Sequence, residues 1–282
     1  MVYNNKNCVF IRGAARTWNY VKQNSISQLN AYWNNPDFYV LMTDNGTVTE
    51  ESLQQDFKDV NCVSIKVISH NNIVPFGIES NNAGSQQWTD FSTNYWRVAW
   101  YDYVLECEKR KYQLEHDIRY NFTQYIRPDL LLSSGNKPEV EDLYQDIHGI
   151  ISDGVYNEDS DSFNSNDIVY AAGSRSSILM NYRYFDTYYT DGIPNQVVIG
   201  DHAKIAEYMF RNFITYPRKQ FGSPGGPFLR PNHIEYYLNH QTDYDMAELD
   251  RMTTEWRFMG DEQKQYYCDL FNISKLDFLY KV

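Results

Sequence analysis

Cys8-Val-Phe-Ile-Arg-Gly-Ala-Ala-Arg-Thr17 reads as a strand that runs into a glycine turn and then into a helix. The helix is marked by Trp18, Val21, Ile26, Leu29 and Trp33, which recur at helical spacing. Asp37-Phe-Tyr-Val-Leu-Met-Thr43 is a second short strand. Thr47, with Glu50 three residues later, has the pattern of a capping box, and the helix it opens carries Leu53 and Phe57 on one face. Cys62-Val-Ser-Ile-Lys-Val-Ile68 alternates as a third strand. Strand, helix, strand, helix, strand predicts an α/β fold of Rossmann type, a mostly parallel central sheet flanked by helices, because parallel neighbours are joined by helical crossovers.

Tyr125-Ile-Arg-Pro-Asp-Leu-Leu-Leu132 ends an apolar strand with Arg127 and Asp129 held apart by a proline. Ligands in such folds sit outside the carboxyl ends of the strands, so charge delivered there is a candidate site; a strand-ending turn with an Arg–Asp pair is the plainer reading. Between these landmarks, residues 70–90 form a long polar loop, Asp90 is placed to cap a helix over 91–115, and 135–146 is acidic and loop-like. His148 to Ser152 is a short strand ending at Asp153, 157–167 is a hydrophilic loop, and Asp167-Ile-Val-Tyr-Ala-Ala-Gly173 is a further strand headed by Asp167. Helices are expected over 174–189 and 201–213, whereas the Gly/Pro-rich run 221–232 breaks all periodicity. The expected organisation is one domain over 1–220 and a C-terminal helical extension over 221–282 packed on it.

The 282 residues carry 25 Lys and Arg against 37 Asp and Glu, a net charge of −12, which disfavours a nucleic acid polymer as partner but leaves room for a nucleotide, whose phosphates need only local cations. Cys8, Cys62, Cys107 and Cys268 show no zinc or disulfide spacing, and they read as small buried hydrophobes of a reducing compartment. The sequons at Asn45, Asn121 and Asn272 are chance matches on this reading, since Asn121 lies in the strand leading to Arg127. With no apolar leader-like segment and no run near the ~20 apolar residues of a membrane span, the expectation is a cytoplasmic protein with no membrane span.

Phe-Ile-Arg-Gly-x-x-Arg-Thr-Trp, the Asp-Phe-Tyr-Val-Leu strand, a long aromatic helix, Tyr-Ile-Arg-Pro-Asp-Leu and the 167–173 strand together resemble a divergent group of GT-A-fold nucleotide-sugar glycosyltransferases of bacteria, phages and large viruses. The resemblance covers roughly residues 7–216. It implies transfer of a sugar from a nucleoside diphosphate-sugar, such as a UDP-sugar, to a carbohydrate or other hydroxyl acceptor. It also implies that Arg127-x-Asp129 stands where the familiar metal-binding Asp-x-Asp would be.

Arg12, Gly13 and Arg16 then become candidates for the diphosphate, at a strand-to-helix turn where backbone N–H groups and the helix dipole favour an anion; pairing with carboxylates is the structural alternative for both arginines. Asp129 is the candidate metal ligand, for a Mn²⁺ or Mg²⁺ ion that arrives with the donor, and Arg127 the group that neutralises the leaving phosphate, directly or beside the metal. A route without metal stays open, because either cation can perform that electrostatic task. For the base that deprotonates an acceptor, Asp201 is the first candidate and Asp167 the second, with Asp153 and His202 at neighbouring element ends. A non-catalytic nucleotide- or sugar-binding protein is the alternative, and it would keep the arginines without needing a base.

Overall fold

The computed structural model describes residues 6–44, 46, 48–69, 91–132, 149–152, 155–157, 162–164, 170–174, 176–178, 214–217 and 229. In chain order the elements are β1 (Lys6–Ala14), α1 (Trp18–Trp33), β2 (Asp37–Asp44), α2 (Glu50–Asp56), β3 (Cys62–Ser69), α3 (Phe91–His116) and β4 (Tyr120–Ile126). The short strands β5 (Gly149–Ser152), β6 (Val155–Asn157), β7 (Ser162–Asn164), β8 (Tyr170–Gly173) and β9 (Ile214–Pro217) follow. A seven-stranded sheet has the order β3-β2-β1-β4-β8-β5-β9, and β6 pairs with β7 apart from it. Within the seven-stranded sheet β8 runs against both its neighbours, whereas β1, β2, β3 and β4 pair in parallel, as do β5 and β9; β6 and β7 are antiparallel. The expected α/β class and mostly parallel sheet are what is observed.

Strand alternation divides the core. Val9 and Ile11 face the cluster that holds Trp18, Val21 and Leu29 of α1 and Leu53 of α2, whereas Cys8 and Phe10 face Tyr101 and Leu105 of α3. Helices of one crossover hand change face when the chain reverses its direction across a sheet, and the move from α1 and α2 to α3 accompanies such a reversal. From β1 the chain steps outward to β2 and β3, then returns to lay β4 on the other side of β1. β1 and β4 are thus adjacent parallel strands, and in open α/β sheets the ligand crevice lies outside the carboxyl ends of such strands.

All five apolar residues used to place α1 are buried. The helix stops at Asn34 and Asn35, both left-handed with φ of 55° and 56°, a conformation asparagine tolerates, and both backbone N–H groups donate to Asn30. The cap of α2 differs from expectation. Thr49, not Thr47, is the N-cap: its hydroxyl accepts from the Ser52 backbone N–H while Ser52 Oγ accepts from the Thr49 N–H. Serine supplies the same reciprocal bonds as glutamate at this spacing, and Glu50 instead accepts from the Val67 backbone N–H at 3.1 Å, covering part of the exposed edge of β3.

Within 157–167, read as a loop, the β6–β7 hairpin arm is present, and β9 had no counterpart among the expected strands. The strand expected to start at Asp167 starts at Tyr170. Cys107 is exposed on α3 rather than buried, whereas Cys8 is buried, which pushes its thiol up to about 12. Asn121 is buried in β4, as the dismissal of its sequon requires. Residues 174 and 176–178 are helical where the 174–189 helix was expected. The loop 70–90, the cap Asp90, the acidic stretch 135–146, the helix 201–213 and, apart from Leu229, the extension 221–282 lie outside the described residues. No helix among the described residues is long and apolar enough to cross a membrane.

Candidate functional site

Two chain segments meet at the carboxyl edge of the central strands. Ile11 of β1 is in parallel register with Ile126 of β4, so Arg127-Pro128 leaves the sheet beside Arg12-Gly13, which stays paired with Leu41 and Met42 of β2. Gly13 has φ +130°, a region closed to side chains, and a Cβ there would meet Pro128 Cδ at 3.4 Å. Gly13→Ala is therefore expected to cost roughly 1–3 kcal/mol of stability through backbone strain, read from urea unfolding; an unchanged midpoint would mean that the turn relaxes freely.

The segment after Asp129 is fastened to α1. Asn24 pairs with the backbone of Leu132, its amide donating to the Leu132 carbonyl at 2.9 Å and its carbonyl accepting from the Leu132 N–H at 2.7 Å. Ser25 Oγ donates to the Leu130 carbonyl at 3.2 Å, and Leu130, Leu131 and Leu132 are all buried. Leu229, from beyond the expected domain boundary at 220, is buried in the same core; its N–H donates to the Asp129 carbonyl at 2.8 Å and its carbonyl accepts from Thr17 Oγ1 at 2.7 Å. Thr17 is the residue before α1, so one backbone position ties the β1–α1 turn to the end of β4. Satisfied buried groups of this kind hold a loop as rigidly as a strand.

On this frame Arg16, Arg127 and Asp129 converge. Arg127 forks onto Asp129, Nε to Oδ1 at 3.0 Å and Nη2 to Oδ2 at 2.7 Å. Arg16 Nη1 lies 3.9 Å from Asp129 Oδ2, beyond hydrogen-bonding distance, and it is buried without a hydrogen-bond partner. The Asp129 side chain is 1% exposed and Arg127 27%, so the carboxylate is enclosed while one cation keeps an open face. Burial lowers the Arg16 guanidinium to about 10, with Asp129 opposing the shift and Arg127 adding to it, which leaves Arg16 a cation at neutral pH.

Arg12 goes elsewhere. Alternation along β1 puts it on the α3 face with Cys8 and Phe10, where it is 1% exposed and ion-paired with Asp102, its guanidinium lying 5.6 Å from the Tyr125 ring centre. The structural alternative, pairing with a carboxylate, is what the geometry gives this residue, although the partner is buried rather than at the surface. Next to it on the same face, Lys109 Nζ donates to Thr123 Oγ1 at 3.0 Å and Ser177 Oγ at 2.7 Å and pairs with Glu106 at 2.7 Å. Asp102, Glu106 and Lys109 were not singled out from the sequence. Their signal was spacing: charged residues at i, i+4 and i+7 in register with buried Tyr101 and Leu105.

The described structure therefore joins Arg16, Arg127 and Asp129 with Gly13 beneath them, and separates Arg12 from the group. Asp167, Asp201, Asp153 and His202 lie outside the described residues. As a divalent-cation site the cluster is a poor fit: it has a single carboxylate with both oxygens facing guanidinium groups. Among the described residues no three or more His, Cys, Asp or Glu side chains converge to hold a metal ion. What the arrangement offers is two guanidinium groups beside an enclosed carboxylate, at the carboxyl edge of two adjacent parallel strands, in a chain whose overall charge is −12. That is chemistry for an anion.

The sequence matches no family model and no curated protein. Among solved structures, the chain is similar to the glycosyltransferase GlyE of Streptococcus pneumoniae TIGR4, with 13% identity and a TM-score of 0.40 over 85% of this chain and 51% of that one. It spans about half the length of that structure. A glycosyltransferase involved in the glycosylation of the major capsid of PBCV-1 gives 10% identity and a TM-score of 0.39 over 87% of this chain and 98% of that one. The nucleoside-diphosphate-sugar pyrophosphorylase of Vibrio cholerae RC9 gives 9% and 0.42 over 82% and 99%. These are similarities of chain path, and the functional argument rests on the residues.

Proposed function

We propose that the chain is a glycosyltransferase that moves a sugar from a nucleoside diphosphate-sugar donor to a carbohydrate or other hydroxyl acceptor. The observation that carries this reading is the placement of Arg16 and Arg127 around the enclosed Asp129 at the carboxyl edge between β1 and β4. The segments that build this edge, Arg-Gly-x-x-Arg-Thr-Trp and Tyr-Ile-Arg-Pro-Asp-Leu, are among those that resemble nucleotide-sugar glycosyltransferases in sequence.

The residues suit the chemistry. When the bond from sugar to phosphate breaks, negative charge accumulates on the departing diphosphate, and fixed cations aimed at that charge lower the barrier without reorganising. Arg127 is part-exposed and is held by Asp129 through Nε and Nη2. Arg16 carries a buried donor in want of an acceptor. The acceptor hydroxyl must lose a proton as it attacks; Asp201, and after it Asp167, are the acids proposed for that step. A divalent ion, where one accompanies the donor, would supply further neutralisation of the same phosphates.

The test is turnover. Incubation with a panel of nucleotide-sugars, UDP-sugars first, should release nucleoside diphosphate, and Arg127→Ala should lower that rate by about 10²–10³-fold, the usual cost of removing one such donor. Ligand-induced stabilisation by nucleoside diphosphates with no turnover of any donor would instead make the chain a non-catalytic nucleotide- or sugar-binding protein.

A further inference from the structure

We infer that Asp129 is a positioning residue that holds Arg16 and Arg127 in place for a diphosphate, and that this diphosphate is bound without a divalent ion on Asp129. The inference rests on the nucleotide-sugar reading and specifies how its donor is held.

The carboxylate geometry carries it. Oδ1 accepts from Arg127 Nε at 3.0 Å, Oδ2 accepts from Arg127 Nη2 at 2.7 Å and faces Arg16 Nη1 at 3.9 Å, and the side chain is 1% exposed. A Mg²⁺ or Mn²⁺ ion needs a carboxylate oxygen it can approach to about 2.1 Å, with room for several water ligands. At Asp129 such an ion would have to displace a bidentate guanidinium while standing next to two fixed cations. A diphosphate meets the opposite circumstance, since the group standing beside that carboxylate is the Arg16 guanidinium, a cationic donor. The buried Arg16 Nη1 has no hydrogen-bond partner among the described residues, an arrangement that is costly until an acceptor arrives, and a phosphate oxygen is the acceptor its charge selects.

The rest of the frame argues for prearrangement. Asp129 is fixed through its backbone by Leu229 N–H, and the residues after it by Asn24 and Ser25 of α1. Arg16 directly precedes Thr17, whose hydroxyl is bonded to Leu229. Both cations and their shared carboxylate are therefore tied to one rigid body.

The probe is inorganic pyrophosphate, with binding followed by calorimetry and thermal shift in EDTA and again with excess Mn²⁺. Binding in EDTA should be as tight, within a few-fold, as with Mn²⁺, and Arg16→Gln should weaken it roughly 10- to 100-fold, the value of a charge-assisted hydrogen bond. Asp129→Asn should melt lower than the parent without ligand and bind pyrophosphate more weakly by the same factor in EDTA and in Mn²⁺, because both arginines lose the group that holds them. A metal ligand at this position predicts a loss confined to the Mn²⁺ arm. Pyrophosphate binding that requires Mn²⁺ and disappears in Asp129→Asn would overturn the inference, as would no pyrophosphate binding in either buffer. Should Asp129→Asn not fold, the EDTA arm and Arg16→Gln decide alone. Failure of the transferase reading looks different: metal-free pyrophosphate binding with no donor turnover leaves this site standing, whereas turnover with strictly Mn²⁺-dependent binding keeps the transferase and removes the inference.

Discussion

Arg12→Ala is expected to lower the unfolding free energy by about 3–5 kcal/mol, because it strands a charge in the core. Arg12 is 1% exposed and Asp102 3% in their ion pair, and the guanidinium also lies over the Tyr125 ring. With the arginine removed, the Asp102 carboxylate stays buried between α3 and the sheet without this counterion. Asp102→Ala should cost a similar amount for the mirror reason. The double variant should cost much less than the sum of the two, since neither charge is then left alone. Equilibrium urea unfolding of the four proteins closes this cycle. Single losses below about 1 kcal/mol that simply add would mean that the pair is hydrated, and Arg12 would return as a candidate for the donor site. The result matters for function as well as for stability, because loss of nucleotide binding in an unfolded Arg12 variant would say nothing about phosphate contacts.

Asp201→Asn should abolish most transfer, by about 10²–10⁴-fold, while donor binding and folding are retained. The size follows from the task proposed for Asp201, removal of the acceptor's proton at the moment of attack. The choice of asparagine separates this role from the structural one. Asparagine caps a helix as well as aspartate does, so a residue whose only work is to open the helix expected over 201–213 would tolerate the change. Parallel measurement of transfer and of nucleoside diphosphate-induced stabilisation distinguishes the two. Full transfer in Asp201→Asn moves the role to Asp167 and its asparagine variant. If both variants remain active, the reaction proceeds without an enzymic carboxylate base, as a retaining mechanism allows.

Much of the first half of the fold was legible because its signals are local. The five apolar positions of α1 recur at helical spacing, and each is buried; the strands ending at Ala14, Asp44 and Ser69 are short, largely apolar runs in sequence. The Arg-Pro-Asp ending of β4 was equally readable, since proline and a polar residue after an apolar run stop a strand whatever lies around it. The β6–β7 hairpin and β9 left weaker marks. Strands of three and four residues are too short for alternation to rise above a polar background.

The chain's own order of residues thus settled the class of fold and the grouping of charge at Arg127 and Asp129, which depend on neighbours within a few positions; the turn expected at Gly13 falls after it, since β1 continues to Ala14. It also settled the parity of β1, which puts Arg12 on the same face as Phe10. What lay on that face was not local information. Asp102 reaches Arg12 because the crossover to β4 lays α3 against the opposite side of the sheet from α1, and that depends on which strand pairs with β1. The same pairing brings Arg16 to Asp129 across more than a hundred residues of chain and leaves Arg12 behind in the core. Two arginines that are equivalent in sequence, flanking one glycine, acquire different work because burial and a counterion are properties of the packed sheet and not of the strand.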